Sequence, residues 1–370
     1  MKFRAAVLHR IGEPLVIEEI ALSDLQPTDV LIRVGASGLC HTDLEVIDGQ
    51  LSYPLPIVLG HEGCGTVERV GSAVTLVKAG DKVVCSWNPN CGHCFYCDRD
   101  QPILCEPFTR HQPQGHLLDG GSRLSVGGRP LHHFSVVSSH AEYCIVPETG
   151  AIVVPREIPE HVACLIGCGV MTGVGAVCRF AKVAPGSIMA VIGCGAVGLN
   201  AVQGGRIAHA GQIVAVEPSA ERRALALRLG ATDVIDPTMD DAVAIVKRMS
   251  QGRGADYVFE CAGAEGALRA ALEMVRPGGE AVFLGKVNVN REVSFRWGSV
   301  MGEKRITRSS YGGARPRRDF PWLAQLYLDG DLDLDVLVGE RLSLEDINAG
   351  FDNMRRGAMI RSVVDLRSAG

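Results

Sequence analysis

The sequence predicts a mixed α/β fold in which a β-rich domain precedes a doubly wound parallel sheet. The first third is rich in valine and glycine, and its short apolar runs, for example 30–34 and 65–70, are separated by turn residues. From residue 187 onward, apolar runs alternate with helical patterns, which is typical of a parallel sheet covered by helices. At roughly 100–200 residues per domain, a chain of 370 residues fits two domains.

The elements of the predicted parallel sheet follow one another along the chain. Five strands are expected, at 187–192, 212–216, 232–236, 255–260 and 280–285. Helices are expected between them, the first ending at 206 and the others at 220–229, 242–249 and 264–275. The end of the chain has two helical stretches and a strand, at 319–329, 344–351 and 360–365. It is too short for a domain of its own, so we expect a first domain at 1–169, a second at 170–309, and a return to the first at 310–370.

Composition and charge argue against several classes of protein. The 37 Lys and Arg residues against 42 Asp and Glu leave a formal net charge of −5, without the basic excess of a dedicated nucleic-acid binder. No apolar run reaches the ~18 residues of a membrane span, and the first ten residues lack the apolar stretch of a secretion signal. We therefore expect a cytoplasmic protein without a nucleic-acid or membrane partner. In that reducing compartment, clusters among the thirteen cysteines indicate metal ligands or catalytic groups rather than disulfides.

Four cysteines lie close together with the spacing Cys-x2-Cys-x2-Cys-x7-Cys, at Cys91, Cys94, Cys97 and Cys105. Four thiolates on so short a segment can close a tetrahedron around one zinc ion, which indicates a structural zinc site in a lobe at 88–108. An iron–sulfur cluster is an alternative, but the bacterial ferredoxin pattern ends in Cys-Pro, whereas Glu106 follows here. Disulfides and free thiols are the remaining interpretations.

A second set of metal-binding side chains is spread along the chain. His61 and Glu62 are adjacent in a glycine-rich stretch, and Cys40 and Cys168 each lie in a glycine-flanked turn. Two thiolates and one imidazole would leave the fourth position of a zinc ion free for water or substrate, as in catalytic sites. Such an ion acts as a Lewis acid and lowers the pKa of a bound hydroxyl group. Spacing alone does not join residues this far apart.

A glycine-rich motif follows the first strand of the predicted parallel sheet. Gly193, Gly195 and Gly198 form Gly-x-Gly-x-x-Gly between a strand and a helix, which indicates a dinucleotide-binding turn. Glu217 follows at the end of the next strand, where its carboxylate would accept hydrogen bonds from ribose hydroxyls and repel a 2′-phosphate. This favours NAD over NADP. Two arginines at 222–223 could weaken that preference, although a solvated helix face is the simpler interpretation.

These three features, in this order, resemble the zinc-dependent alcohol dehydrogenases of the medium-chain dehydrogenase/reductase superfamily. The resemblance covers nearly the whole chain and is most specific at Gly60-His61-Glu62-x2-Gly65-x5-Gly71-x2-Val74. It implies a GroES-like catalytic domain, a Rossmann domain that binds NAD, and two zinc ions per chain. It also implies reversible, NAD-dependent oxidation of an alcohol.

The resemblance assigns the dispersed metal-binding residues to one site. It implies that Cys40, His61 and Cys168 bind the catalytic zinc, with Glu62 directly behind it. Asp43 resembles the carboxylate that orients a metal-bound imidazole, here His61.

The resemblance also implies roles for three residues of a proton relay. Thr42 matches the hydroxyl residue that bonds the substrate oxygen. Many members of the family carry a histidine three positions later as the terminal base, whereas this chain has Glu45. A carboxylate could act there if burial raised its pKa, and otherwise His41 or solvent would end the relay. Both interpretations stay open.

Further contacts are implied for the cofactor and the substrate. His41 and Arg361 are expected at the cofactor pyrophosphate. Thr172 and Val197 are expected beside the nicotinamide ring, and Trp87 at the substrate pocket.

Several activities fit the resemblance. The stretch 50–58 is apolar, with two prolines, which favours a primary hydrophobic or aromatic alcohol as substrate. The alternative is a glutathione- or mycothiol-type formaldehyde dehydrogenase, although glutathione-dependent members carry an acidic residue where residues 50–51 stand. The zinc-free quinone reductases lack the metal ligands. A zinc-binding interaction module without catalysis is the alternative from a different class.

The oligomeric state is also suggested by the resemblance. Residues 305–310 have the pattern of an edge strand, and in relatives the corresponding strand pairs across a two-fold axis. The long loop at 108–140 resembles that of dimeric members, so we expect a homodimer rather than a tetramer. The local alternative is an edge strand protected by its two arginines.

Overall fold

The computed structural model describes residues 1–357 and 359–367. Ala358 and residues 368–370, which belong to the expected return segment 310–370, lie outside the described residues. Backbone contacts divide the chain into two compact units, unit 1 with Met1–Cys168 and Arg315–Gly370, and unit 2 with Gly169–Ala314. The boundaries expected from the sequence, 169/170 and 309/310, lie one and five residues from these limits. The second differs because Gly312 packs tightly on Met171, where an added Cβ would lie 2.3 Å from the Met171 carbonyl oxygen.

The first part of unit 1 consists of ten strands and three short helices. The strands are β1 Lys2–Leu8, β2 Val16–Leu22, β3 Asp29–Gly38, β4 Ile57–Val58, β5 Glu62–Val70, β6 Lys82–Cys85, β7 Leu124–Val126, β8 Arg129–His133, β9 Tyr143–Pro147 and β10 Ala151–Val153. The helices are α1 His41–Ile47, α2 Glu106–His111 and α3 Glu160–Ala163.

Unit 2 alternates strands with helices, as the sequence predicts. Its strands are β11 Ile188–Ile192, β12 Gln212–Val216, β13 Asp233–Ile235, β14 Ala255–Glu260, β15 Val275–Phe283 and β16 Arg305–Arg308. Its helices are α4 Gly169–Gly175, α5 Ala196–Ile207, α6 Ala220–Arg228, α7 Ala242–Met249 and α8 Glu265–Met274. All neighbouring strands are parallel, in the order β13-β12-β11-β14-β15-β16. This order is that of the Rossmann fold, and the mixed α/β prediction is confirmed.

The return segment of unit 1 adds α9 Pro316–Leu328, β17 Val338–Leu342, α10 Ile347–Arg355 and β18 Arg361–Asp365. Helix α9 begins earlier than the predicted 319–329 because Pro316 occupies its first turn, where a missing N–H costs no hydrogen bond. Strand β18 pairs antiparallel with β3, so the end of the chain joins a sheet built from the first part of unit 1.

Two sheets form unit 1. The strands β1, β2, β7, β8 and β4 close a barrel, and a seven-stranded sheet has the order β10-β6-β5-β3-β18-β17, with β9 also paired to β3. The pairing of β3 with β5 sets Gly38 opposite Glu62, and β18 sets Val363 against Gly38. The ends of three strands that are distant in the chain are thereby brought to one place.

The stretch 91–140 shows no apolar periodicity in the sequence, which is typical of a loop, but it contains regular structure. Its central part forms the hairpin of β7 and β8, which completes the barrel, because Gly127 and Gly128 both adopt a positive φ at the turn. Among the described residues, no single helix is long and apolar enough to cross a membrane. One bent pair, Glu160–Gly167 with Gly169–Phe180, passes the same test on length and composition alone.

Candidate functional site

Two strand ends and a short 3₁₀ helix of unit 1 position the dispersed metal-binding residues. Cys40 follows β3 and stands immediately before α1, with φ −119° and ψ 151°, an extended conformation that lets the chain turn into the helix. Glu62 is the first residue of β5, so His61 lies in the tight connection before it. Gly60 permits this connection with a φ of +92°, a backbone conformation that residues with a side chain rarely adopt. Cys168 follows a short 3₁₀ helix at Cys164–Gly167.

The buried carboxylate of Asp43 ties two of these segments together. Its Oδ2 accepts a hydrogen bond from the backbone N–H of Cys40 at 3.0 Å. Its Oδ1 accepts one from the backbone N–H of Gly60 at 3.0 Å and lies 3.2 Å from Nδ1 of His61. With Nδ1–H donating to Asp43, the lone pair of His61 Nε2 is available to a metal ion. Asp43 therefore stands where the resemblance expects the orienting carboxylate.

The side chains of Cys40, His61, Glu62 and Cys168 converge, with one ligand atom of each within 4.8 Å of the others. Cys40 Sγ lies 4.0 Å from Cys168 Sγ, and His61 Nε2 lies 3.3 Å from Cys168 Sγ. Zinc–sulfur bonds of ~2.3 Å in a tetrahedron space two sulfurs roughly 3.8 Å apart. The donor set and its spacing therefore fit a zinc ion.

Charges inside this cluster favour metal binding. The hydrogen bond from Cys168 lowers the pKa of Cys40, against the effect of burial, and Arg361 and His61 lower it further. Because Cys168 donates its proton in this hydrogen bond, its own pKa is raised. Burial raises the pKa of Glu62, although Arg361, whose Nη2 is 3.1 Å from Glu62 Oε1, opposes the shift. A cation between the two thiols would release the shared proton, because zinc binds thiolates.

Helix α1 carries the residues expected in the proton relay. Thr42 is half-buried, with its Oγ1 atom 3.8 Å from Cys40 Sγ. Glu45 lies three positions later on the same face of the helix and is also half-buried, whereas His41 is exposed. Both candidates for the end of the relay are therefore within one helical turn of Thr42.

Aromatic side chains lie on one side of His61. The ring of Phe134 meets that of His61 edge-on, with centroids 5.4 Å apart, and Tyr53 contacts Phe134 at 5.0 Å. Trp87, expected at the substrate pocket, is half-buried and packs on Phe108 at 6.2 Å. One side of this cluster is thus apolar. Tyr53 and Phe134 are not apparent from the sequence as site residues, because an aromatic residue within an apolar run gives no signal beyond core packing.

The four clustered cysteines form a second group whose sulfur atoms lie within 4.8 Å of one another. Cys97 Sγ lies 3.9 Å from Cys91 Sγ and 3.5 Å from Cys94 Sγ. The backbone N–H of Cys91 donates to Cys105 Sγ at 3.2 Å. Although burial opposes ionisation, hydrogen bonds from the backbone of Glu106 and Cys97 lower the pKa of Cys94 to about 6. Four converging thiols, three of them held by backbone donors, fit the closed coordination of a structural zinc.

The glycine-rich turn of unit 2 fits a dinucleotide. Gly193 has a φ of +89°, and a Cβ on Gly198 would lie 1.8 Å from the Gly193 carbonyl oxygen, so both glycines are needed to close the turn. A Cβ on Gly195 would meet nothing within 4 Å. This open space stands at the N-terminus of α5, where backbone N–H groups and the helix dipole attract phosphate. Gly173, which follows Thr172, packs closely on α5, because a Cβ on Gly173 would lie 2.4 Å from the carbonyl oxygen of Val197.

Glu217 lies at the end of β12 beside this turn and is only 4 % exposed. Its carboxylate accepts hydrogen bonds from the backbone N–H of Cys194 at 2.7 Å and of Ser219 at 3.0 Å. Arg223 is paired with Asp236 at 2.9 Å and donates to the carbonyl oxygen of Glu217. Arg223 is therefore not simply a solvated surface residue, because its guanidinium bonds both Asp236 and the Glu217 carbonyl oxygen.

One polar residue close to the metal-binding cluster was missed by the sequence analysis. His140 is fully buried with its Nε2 atom 3.9 Å from Asp43 Oδ1. A lone histidine in a serine-rich connection carries no motif. Its distance from Asp43 along the chain hides the contact.

Two family models match the chain. The model described as "Alcohol dehydrogenase GroES-like domain" matches residues 26–156, and "Zinc-binding dehydrogenase" matches residues 196–329. The chain is 40 % identical to S-(hydroxymethyl)glutathione dehydrogenase of Escherichia coli O1:K1 / APEC over 368 residues, covering 98 % of this chain and 100 % of the relative.

Solved structures also resemble the chain. An alcohol dehydrogenase zinc-binding domain protein from Burkholderia ambifaria is 37 % identical with a TM-score of 0.95. Benzyl alcohol dehydrogenase from Acinetobacter calcoaceticus is 31 % identical with a TM-score of 0.93. Each comparison covers 99 % of both chains.

Proposed function

Because the chain belongs to the zinc-dependent alcohol dehydrogenases of the medium-chain dehydrogenase/reductase superfamily, we propose that it oxidises a primary hydrophobic or aromatic alcohol to the aldehyde. The reaction passes a hydride to NAD and releases one proton, and it is reversible. The apolar side of His61, formed by Phe134 with Tyr53 packed behind it, is the observation that supports this substrate class.

The proposed roles follow from the contacts. Cys40, His61 and Cys168 would hold the catalytic zinc, which when bound supplies a Lewis acid that makes the substrate hydroxyl group more acidic. Thr42 Oγ1 would take the hydroxyl proton, because it lies 3.8 Å from Cys40 Sγ on the half-buried face of α1. Glu62 would balance the charge of the site together with Arg361, which the resemblance also expects at the cofactor pyrophosphate. Cys91, Cys94, Cys97 and Cys105 would hold the structural zinc.

The substrate class is tested by absorbance at 340 nm with NAD and a panel of aliphatic, benzylic and terpenoid alcohols. We expect benzylic or long-chain primary alcohols to give the highest kcat/KM. Thr42→Ala should lower kcat strongly, whereas the matched Thr42→Ser variant keeps a hydroxyl group and most of the activity. No reduction of NAD with any alcohol would overturn the proposal.

S-(hydroxymethyl)glutathione is the second candidate substrate, because the E. coli relative is named for it. One observation argues against this substrate. Where glutathione-dependent members carry an acidic residue, this chain has the exposed amide Gln50 and the half-buried, apolar Leu51. The same assay with formaldehyde and glutathione, and with formaldehyde and mycothiol, separates the two. Activity with either adduct that exceeds activity with benzylic alcohols would favour this second function. Measurable partner binding without any turnover would instead favour a zinc-binding interaction module.

NAD is the proposed cofactor rather than NADP. The Glu217 carboxylate would repel a 2′-phosphate, and Arg223 is neutralised by Asp236, so it does not offer an unpaired charge to that phosphate. Thr172, Val197 and His41 would complete the cofactor contacts. We expect kcat/KM with NAD to exceed that with NADP, and Glu217→Gln to narrow the difference.

The end of the proton relay is open to a direct comparison. Glu45→Gln removes a titrating group and keeps the size of the side chain, and His41→Gln does the same for the imidazole. The variant that flattens the fall of kcat at low pH identifies the terminal base, because a base must be deprotonated to accept the relayed proton. If neither variant changes the profile, solvent ends the relay.

A homodimer joined through the edge of unit 2 is the proposed assembly. Strand β16 is the edge strand of the sheet, and the apolar side chains of Val289, Trp297 and Met301 are 94 %, 73 % and 57 % exposed. Exposed apolar groups in the segment that leads into an edge strand are typical of an interface. Light scattering is expected to give twice the mass of 39.5 kDa, and Trp297→Glu to give the monomer.

A further inference from the structure

His140 is a second buried imidazole next to the carboxylate that holds His61. Its side chain is 0 % exposed, and its Nε2 atom lies 3.9 Å from Asp43 Oδ1. In the part of the chain that the structure describes, this Nε2 atom has no hydrogen-bond partner. A buried polar atom left without a partner costs about 1–3 kcal/mol, so its position calls for a physical explanation.

The neighbours of His140 favour a proton on its Nε2 atom. Nδ1 lies 2.9 Å from Ser37 Oγ, which in turn lies 2.7 Å from Ser139 Oγ. If Nδ1 carried the proton, the lone pair of Nε2 would face the Asp43 carboxylate and repel it. The favourable arrangement has Ser139 donating to Ser37, Ser37 donating to Nδ1, and the Nε2–H dipole directed at Asp43. Burial lowers the pKa of His140 to about 4, so the imidazole is neutral at pH 7 and carries one N–H.

Packing keeps the imidazole in this orientation. A Cβ on Gly60 would lie 2.6 Å from the backbone nitrogen of His140 and 2.7 Å from its Nδ1, so the ring rests on the peptide that precedes His61. The ring of Phe351 meets it edge-on at 6.0 Å on another side. The same Gly60 donates its N–H to Asp43, and both histidines therefore contact one carboxylate through one turn.

We propose that His140 is a positioning residue for the catalytic zinc, acting through Asp43 on His61. Its Nε2–H dipole stabilises the charged carboxylate, and the carboxylate in turn keeps the proton of His61 on Nδ1 and the lone pair of Nε2 towards the metal. At 3.9 Å the attraction is that of a charge and a dipole in a dry interior, where screening is weak, rather than a direct hydrogen bond. The inference rests on the proposed zinc ligands Cys40, His61 and Cys168.

Zinc affinity is the readout that separates positioning from packing. His140→Phe fills the same space without an N–H, and we expect it to weaken binding of one of the two zinc ions about 10-fold in competition with a chromogenic chelator. The second zinc, at Cys91–Cys105, should bind as in the wild type and serves as an internal control. His140→Gln retains a donor, and we expect it to restore the affinity to within about twofold of the wild type.

Cobalt substitution gives a spectroscopic readout of the same effect. Co(II) in the catalytic site has ligand-field bands that report the geometry of its ligands, and we expect His140→Phe to shift them and His140→Gln to leave them near the wild-type position. His133→Phe is the matched control, because it removes another fully buried imidazole of unit 1, whose Nε2 atom accepts a hydrogen bond from the backbone N–H of Arg123. It should change neither zinc affinity nor the cobalt spectrum.

Three results would overturn the inference. Unchanged zinc affinity and an unchanged cobalt spectrum in His140→Phe would do so, as would an equal loss in His140→Gln. If His140→Phe does not fold, Ser37→Ala decides, because it releases Nδ1 and should weaken the same zinc ion about threefold; no change there would contradict the inference. Loss of one zinc in Cys40→Ser tests the proposed ligand set separately, so the two failures are distinguishable.

Discussion

Glu62 and Arg361 form an ion pair in which both side chains are buried. Glu62 Oε1 lies 3.1 Å from Arg361 Nη2, and only 0 % and 9 % of the two side chains are exposed. Gly38 makes room for the carboxylate, because a Cβ there would lie 2.3 Å from Glu62 Oε2. The same guanidinium lies 3.5 Å from Cys40 Sγ, so one buried cation faces a carboxylate and a metal-binding thiol.

Removing this cation should destabilise the fold more than removing an exposed one. Arg361→Leu leaves Glu62 buried without its partner, and we expect a loss of about 3 kcal/mol in the free energy of unfolding, measured with urea. The control is Arg341→Leu, whose ion pair with Asp365 is half exposed and which should cost less than about 1 kcal/mol. Equal losses in both variants would contradict the importance of burial.

The two metal centres should be separable by mutation. We expect two zinc ions per chain by elemental analysis and one in Cys94→Ser, because three thiolates no longer close the tetrahedron. That variant should melt at a lower temperature. Cys85→Ser changes a buried cysteine outside both clusters and should retain two. Two zinc ions in Cys94→Ser would argue against the lobe as a structural site.

The glycine-rich turn offers a contrast between folding and cofactor binding. Gly195→Ala adds a methyl group in open space, so we expect the stability to change by less than about 0.5 kcal/mol. The methyl group would stand where the pyrophosphate approaches, and we expect the Kd of NAD to rise about 10-fold or more, a loss of about 1.4 kcal/mol. Gly266→Ala, also in open space but on α8, is the matched control and should leave the Kd of NAD unchanged. Calorimetric titration measures the Kd, and an unchanged value in Gly195→Ala would contradict the proposed pyrophosphate position.

Buried His133 should make the protein sensitive to mild acid. Burial, with help from Arg123, lowers its pKa to about 3 from the ordinary 6.5. Between these values the unfolded chain binds a proton that the folded chain does not, so stability falls as pH decreases below 6.5. At pH 5.5 the loss is about 1.4 kcal/mol for this group.

The acid sensitivity is measured by urea unfolding at pH 7.5 and 5.5. His133→Phe should lose about 1.4 kcal/mol less than the wild type over this interval. His209→Asn replaces an exposed histidine with a residue that tolerates its φ of 56°, and it should follow the wild type. A pH dependence that is the same in His133→Phe and the wild type would show that other groups are responsible.

Much of the fold could be predicted from local patterns. The alternation in unit 2 indicated five of the six strands of the parallel sheet, because each strand and helix has its own periodicity within a few residues. The sixth strand, β16, was indicated separately by the edge-strand pattern of residues 305–310. The hairpin of β7 and β8 could not be recognised, because its strands are three and five residues long and their partners lie elsewhere in the barrel. Helix α9 was predicted three residues too late, since a proline suggests a break although it is well suited to a first turn.

The sequence by itself determined what depends on neighbours along the chain. The spacing of Cys91, Cys94, Cys97 and Cys105, and that of the three glycines of the nucleotide turn, indicates their chemistry because a short segment can close around its ligand alone. Tertiary structure decided the rest. Cys40 and His61 meet because β3 pairs with β5, and Cys168 joins them because Gly167 packs against the Cys85 carbonyl oxygen at the end of β6. His140 reaches Asp43 only through the turn at Gly60. Such contacts depend on strand register and burial, which residue spacing does not encode.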